Sequence, residues 1–164
     1  MSRFRCLPID PAVARRFRAT GHDESGNPLR RMVADHASPC RVCLCDAAVG
    51  EPVLLGSYHL PRPRGIYWTP SPIFVHAEPC APFEAADEIA PILRPRMISV
   101  RAYDAADQCL YDLGFAGEGM EIDTPLARAL DDPRTAFVNV HTAKPGCLLC
   151  RVERIEPARA LPVP

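Results

Sequence analysis

Met97-Ile-Ser-Val-Arg-Ala-Tyr103, Asp104-Ala-Ala-Asp107 and Cys109-Leu-Tyr-Asp-Leu-Gly-Phe115 follow one another closely in the chain. The outer two are rich in residues that suit a pleated sheet, and Asp-Ala-Ala-Asp between them reads as a turn, so the stretch predicts a hairpin. Further on, Thr135 to His141 and Cys147 to Ile155 predict a second strand pair around Ala143-Lys-Pro-Gly146. Upstream, Phe4 to Ile9, Leu29 to Asp35, Pro52 to Tyr58 and Ile73 to His76 read as shorter strands. Asp10-Pro11 sets a helix start, with Asp as cap and Pro at the first helical position, and the helix is expected to run to about Phe17. Asp123-Thr-Pro125 sets a second helix that ends near Asp131-Asp132-Pro133. Residues 82–95 read as a loop with one helical turn around Ala85 to Ile89. Strands and helices do not alternate regularly, so a parallel sheet is not expected. The expected fold is α+β, a mainly antiparallel sheet with two short helices. It forms a single domain over residues 1–156, followed by a flexible proline-rich tail over 157–164.

The bulk properties agree with a globular chain. Of 164 residues, 48% are hydrophobic and 24% charged, enough for a core and not the balance of a disordered chain. A net charge of −1 argues against a protein that coats nucleic acid or an anionic membrane. The five arginines within residues 3–18 read more simply as a solvated helix face and a strand edge. No run approaches the roughly 20 apolar residues of a membrane span, and the N-terminus lacks the apolar stretch of a signal peptide. The expected location is therefore cytoplasmic, where eight cysteines point to thiols or metal ligands rather than disulfides.

Two Cys-x-x-Cys motifs stand about a hundred residues apart, Cys40-Arg-Val-Cys43 and Cys147-Leu-Leu-Cys150. Four thiols in two such pairs can close a tetrahedral zinc site. A geometric objection concerns the second pair: on a continuous strand, residues three apart point to opposite faces. Both could then bind one ion only if Cys147 is still in the turn or the strand bulges. A mixed site avoids the difficulty, with Cys40 and Cys43 joined by one of His76, Cys80, His141 or Cys147. The competing readings are plain packing, since free cysteine is among the most buried residues, and a reactive thiol such as Cys80 beside His76 or His141. A thioredoxin-like reading lacks its βαβ setting. Cys6 and Cys109 read as core residues.

The run His59-Leu-Pro-Arg62-Pro-Arg64-Gly-Ile-Tyr67-Trp68 places Arg62, Arg64, Tyr67 and Trp68 in one loop. Such a loop suits a partner or a small anionic ligand, since guanidinium forks bind carboxylate and phosphate; the plainer reading is a connector stiffened by proline. Gly114-Phe-Ala-Gly-Glu-Gly119 is only superficially like a phosphate-binding loop, because the helix starts too late.

Four strings occur in order: Ser38-Pro-Cys-Arg-Val-Cys-Leu44, Pro72-Ile-Phe-Val-His-Ala-Glu-Pro-Cys80, Ser99-Val-Arg-Ala-Tyr-Asp104 and Val140-His-Thr-Ala-Lys-Pro-Gly-Cys147. Together they resemble a bacterial family catalogued as a domain of unknown function, number 1203 in its series, over roughly residues 29–155. The resemblance implies no activity, so function is read from the residues. They predict a binding module for a small ligand or partner, built on a structural Cys/His zinc site. The alternative is an enzyme that uses a metal-bound water or a reactive Cys/His pair.

Overall fold

The expected strand Met97–Tyr103 (β7) forms over its whole length, and its alternation sets the architecture. Ile98, Val100 and Ala102 face one way into a core, while Ser99, Arg101 and Tyr103 face the other. The computed structural model describes residues 2–35 and 38–155; the expected tail over 157–164 lies outside the described residues.

β7 is the fourth strand of a five-stranded antiparallel sheet with β1 (Phe4–Leu7), β10 (Leu148–Arg154), β9 (Phe137–Thr142) and β8 (Phe115–Glu118), in the order β1-β10-β9-β7-β8. β9 lies at the centre, and five of its six residues are buried. Helix α2 (Asp123–Asp131) covers one face through Leu126, Ala129 and Leu130, spaced to share one side of the helix. The segment Ala90 to Leu93 completes that core. Fully burying a leucine, isoleucine or valine side chain stabilises by about 1.5–3 kcal/mol, and this core holds thirteen such residues among those described.

A smaller antiparallel sheet, in the order β2-β5-β6, joins Arg30–Val33 (β2), Pro52–His59 (β5) and Pro70–His76 (β6). Helix α1 (Pro11–Thr20) packs Val13, Ala14 and Phe17 into a second core with Ile73 and Val75. Its ends follow from the sequence. Asp10 accepts the Ala12 N–H at 2.8 Å, Pro11 opens the first turn, and Gly21 stops the helix at φ 68°, a backbone state open to glycine. Between the two sheets lies a minimal hairpin of β3 (Ser38–Pro39) and β4 (Asp46–Ala47), which encloses the first cysteine motif. No helix among the described residues is long and apolar enough to cross a membrane.

Two expected elements differ. The expected hairpin opens as read, with Tyr103 bridging Cys109 and the Leu110 N–H donating to the Ala102 carbonyl at 2.9 Å, but the regular partner of β7 is displaced to β8, with Val100 opposite Phe115 and Met97 opposite Glu118. Asp104 Oδ1 accepts N–H groups from Ala106 and Gln108 and winds the turn tightly; a 3-10 turn at Tyr111–Leu113 then carries the chain out before it re-enters the sheet. The helical turn at Ala85 to Ile89 does not form. Asp87 instead binds the edge of β1, accepting the Phe4 N–H at 2.9 Å and donating its own N–H to the Phe4 carbonyl at 2.8 Å. That contact covers a strand edge that would otherwise be open.

Candidate metal centre

Cys40 begins a tight turn right after β3. The Cys40 N–H donates to the Cys45 carbonyl at 2.9 Å and the Leu44 N–H to the Cys40 carbonyl at 3.0 Å, with Leu44 at φ 53°. The turn is held from outside as well: Arg41 N–H donates to the Phe74 carbonyl and Phe83 N–H to the Val42 carbonyl, both at 3.0 Å. Phe74 belongs to β6, so the cysteine turn is fastened to the strand that ends in His76. Arg18 of α1 fixes the next segment. Its guanidinium donates to the carbonyls of His76, Ala77 and Glu78 at 3.0–3.2 Å, which shapes the bend between His76 and Cys80.

These anchors bring Cys40, Cys43, His76 and Cys80 together, with one ligand atom from each within 4.8 Å of all the others. Cys40 Sγ lies 3.7 Å from Cys80 Sγ, and Cys43 Sγ lies 3.7 Å from His76 Nδ1. A tetrahedral ion with metal–sulfur bonds of about 2.3 Å has ligand–ligand edges of about 3.8 Å. The group can hold a metal ion, and Cys40 is wholly buried while the other three are half-buried.

The electrostatics run the same way. The Cys43 thiol, and then the N–H groups of Cys43, Val42 and His76, pull the Cys40 thiol down to about 4 against the cost of burial. Cys43 is pushed up, first by the Cys40 sulfur and then by burial; Cys80 is pushed up by burial and then by Cys40. One thiolate is therefore comfortable here, and a second or third needs a cation among them. The far nitrogen of the histidine, Nε2, is buried without a hydrogen bond, and Glu51 Oε2 stands 3.6 Å from it. A carboxylate behind a ligating histidine is the usual second contact of such a site.

The other sequence candidates lie elsewhere. Cys147 sits in the turn before β10, and Cys150 is buried in the larger core, a free thiol in hydrogen-bond contact with the free thiol of Cys6. The register between Leu148 and Cys150 does slip, as a bulge does, yet the second cysteine pair is not gathered with the first. His141, 3% exposed, shares Nδ1 with the Gly146 carbonyl at 2.9 Å and is not in the group either. Sequence reading missed Arg18 and Glu51. The spacing Cys-x2-Cys followed by His-x3-Cys is a signal that could have selected His76 and Cys80 over the second pair.

The arginine loop is built differently from a free anion fork. Arg62 Nε donates to Asp107 Oδ1 at 2.7 Å and its Nη2 pairs with the same oxygen, while the Arg64 N–H donates to Asp107 Oδ2 at 2.8 Å. Asp107 is held well below the usual carboxylate range, first by the Arg64 N–H and then by Arg62. Trp68 Nε1 donates to the Leu60 carbonyl at 2.9 Å, and Tyr67 and Tyr111 share a hydroxyl contact at 3.0 Å. Arg62 is thus committed, and Arg64 is the exposed cation of the loop. Gly114 to Gly119 runs through β8 into a 3-10 turn, and α2 begins only at Asp123, too late to cradle a phosphate in that run.

No curated protein and no solved structure matches the chain. Residues 37–154, a span that includes all four gathered ligands, match a family model described as Protein of unknown function (DUF1203), and the chain belongs to that family.

Proposed function

We propose that Cys40, Cys43, His76 and Cys80 bind one zinc ion, and that the ion is structural, holding together a module that binds a small ligand or a partner. The observation that carries this reading is the gathering of three sulfurs and one imidazole nitrogen within 4.8 Å of one another, two of the spacings being 3.7 Å. Soft thiolates with one imidazole suit zinc, and four protein ligands leave no open position for a catalytic water. The ion would join the cysteine turn, the end of β6 and the segment after it, three pieces otherwise linked by a few backbone bonds. Three thiolates and a neutral histidine around a divalent ion carry one negative charge, and the guanidiniums of Arg18 and Arg41 lie close enough to favour it.

Metal analysis of the purified full chain tests this directly. One zinc per chain is expected, lost in Cys43→Ser and Cys80→Ser but kept in Cys147→Ser, with a fall in melting temperature only in the first two. A chain without metal whose Cys43→Ser variant melts unchanged would refute the reading.

The enzyme alternative draws on the 3.7 Å contact of Cys43 with His76, a thiol beside an imidazole. Thiol titration separates the two: a closed site gives slow, chelator-dependent thiols, and a nucleophile gives one fast thiol.

A further inference from the structure

The exit of β1, the end of β5 with the turn after it, and strands β9 and β10 enclose a cavity of about 410 Å³. Small-molecule sites fall in the range of roughly 300–1,000 Å³. Leu7, Ile9, Leu60 and Leu148 give the cavity apolar walls; its polar lining is Tyr58, Asn139, Arg62 and Arg151 together with two carboxylates, Asp10 and Glu153, of which Asp10 caps helix α1 and Glu153 pairs with Arg151. It is separate from the cysteine cluster, none of whose four residues lines it.

Tyr58, Asn139 and Arg151 each have unused capacity. Arg151 Nη1 donates to Glu153 at 3.0 Å, and the rest of its fork has no acceptor among the described residues. Asn139 is 1% exposed and donates Nδ2 to the Arg62 carbonyl at 3.1 Å, which leaves its own carbonyl oxygen without a donor among the described residues. The Tyr58 hydroxyl likewise has no partner among them, and burial pushes it up to about 12, so it stays protonated and able to donate. None of these atoms is sealed: the fully buried, unpartnered side-chain atoms among the described residues are His76 Nε2, Thr135 Oγ1 and His141 Nε2. The polar atoms around the cavity are therefore reachable from it.

Their spacing selects the ligand. Asn139 and Arg151 are cross-strand partners, so their side chains leave the sheet about 5 Å apart on one face. Arg151 and Arg62 both lie against the Phe137 ring, at 5.5 and 4.2 Å from its centroid, which fixes the guanidinium of Arg151 in place. A group that takes a donor from Arg151 and gives one to Asn139 needs a carboxylate and a donor on neighbouring carbons. We infer that this cavity binds a small carboxylic acid with an amino or hydroxyl group on its α-carbon. Its carboxylate meets Arg151 and Tyr58, its α-substituent donates to Asn139, and its side chain lies against the apolar walls.

Saturation-transfer NMR on the full chain tests the inference. The probes are alanine, valine, leucine and phenylalanine, their 2-hydroxy counterparts, and the matching amines without a carboxylate. At least one acid receives saturation at millimolar concentration and no amine does; the series that responds tells an amino acid from a hydroxy acid. Arg151→Met lowers the affinity at least tenfold. Tyr58→Phe, which removes one hydroxyl and keeps the ring packed, lowers it about threefold to tenfold and carries the test should Arg151→Met fail to fold. Silence from every acid, equal response from amines and acids, or wild-type affinity in a folded variant of either residue overturns it.

Discussion

Arg41 Nε donates to the Leu148 carbonyl at 2.6 Å from a residue only 2% exposed. Arg41 stands between Cys40 and Cys43, and Leu148 between Cys147 and Cys150, so the two cysteine motifs do meet. What joins them is a buried guanidinium, not a shared metal. The Leu148 peptide is held on its other side too, its N–H donating to Ser71 Oγ at 2.9 Å. This is where the β9–β10 register slips, and a bulged strand leaves peptide groups without ladder partners. Arg41 and Ser71 supply those partners from the smaller sheet and the cysteine turn. No carboxylate pairs with Arg41 among the described residues. Burial lowers it to about 10, which leaves it charged at neutral pH, and the thiols of Cys147, Cys40 and Cys150 favour that charge.

Replacing Arg41 by Met is therefore expected to destabilise the chain by about 2 kcal/mol. The carbonyls of Leu148 and Pro39 lose a charged donor, while removal of a buried charge offsets part of that loss. Urea unfolding of the two proteins measures the difference. Equal midpoints and slopes would mean that the link between the motifs contributes no net stability.

Local chemistry made much of this fold readable. The cap at Asp10, the proline at Pro11 and the glycine at Gly21 set the first helix, and β7, β9 and β10 follow from alternation and a turn. The detour between Cys109 and Phe115 was not readable, because Asp104 decides it through side-chain bonds that a strand-like composition conceals. At the metal group, Cys40 and Cys43 were legible as a pair. The choice of His76 and Cys80 over Cys147 and Cys150 depends on which strand the turn docks against. That is settled by Arg41 N–H on Phe74 and by the Arg18 clamp, contacts between residues 33 and about 60 positions apart. The resemblance of the four strings to a family fixed neither choice.

Glu51 is expected to tune the metal without touching it. Its Oε2 accepts the Ala48 N–H at 2.6 Å and faces His76 Nε2 at 3.6 Å, which favours the tautomer with the bare Nδ1 turned to the ion. Carboxylates in this position typically contribute about 10–100-fold in metal affinity. Glu51→Gln should weaken zinc about tenfold in competition with a chromogenic chelator, with one ion still bound at saturation. Unchanged affinity would remove Glu51 from the site.

His141 sets a pH dependence. Burial, and then the Arg101 guanidinium, hold it down to about 4, against about 6.5 for a free imidazole. Its protonation is thus easier in the unfolded chain, and the sign follows. At pH above about 6.5 both states are neutral and the full stability is present; as pH falls towards 4 the unfolded chain gains a proton and stability is lost. The loss amounts to roughly 3 kcal/mol by pH 4. His141→Asn keeps a donor near the Gly146 carbonyl and lacks this titration. The stability difference between wild type and variant, measured by urea unfolding from pH 7.5 to 4.5 in the presence of chelator, should shift against wild type as the pH falls. A difference that stays flat across that range would show that His141 titrates normally.

Gly119 tests how closely the covering segment packs on the sheet. A Cβ built there would lie 1.8 Å from the Leu93 carbonyl oxygen, inside any permitted contact, and 2.9 Å from the Arg94 oxygen. The obstacle is backbone, so no side-chain rotation relieves it. The Gly119 N–H also donates to the Arg96 carbonyl at 2.8 Å, so backing away breaks a bond. The glycine in a run that resembles a phosphate loop thus serves a close crossing of two chains. Gly119→Ala should lower stability by about 2–4 kcal/mol, in the range of strongly overpacked sites, with a matching fall in melting temperature. Gly117→Ala is the control, since its new Cβ would meet the ring of Phe115, a partly buried side chain that can turn aside, and it should cost clearly less. Equal losses at the two positions would show that the Leu93 crossing yields as easily as a side chain does.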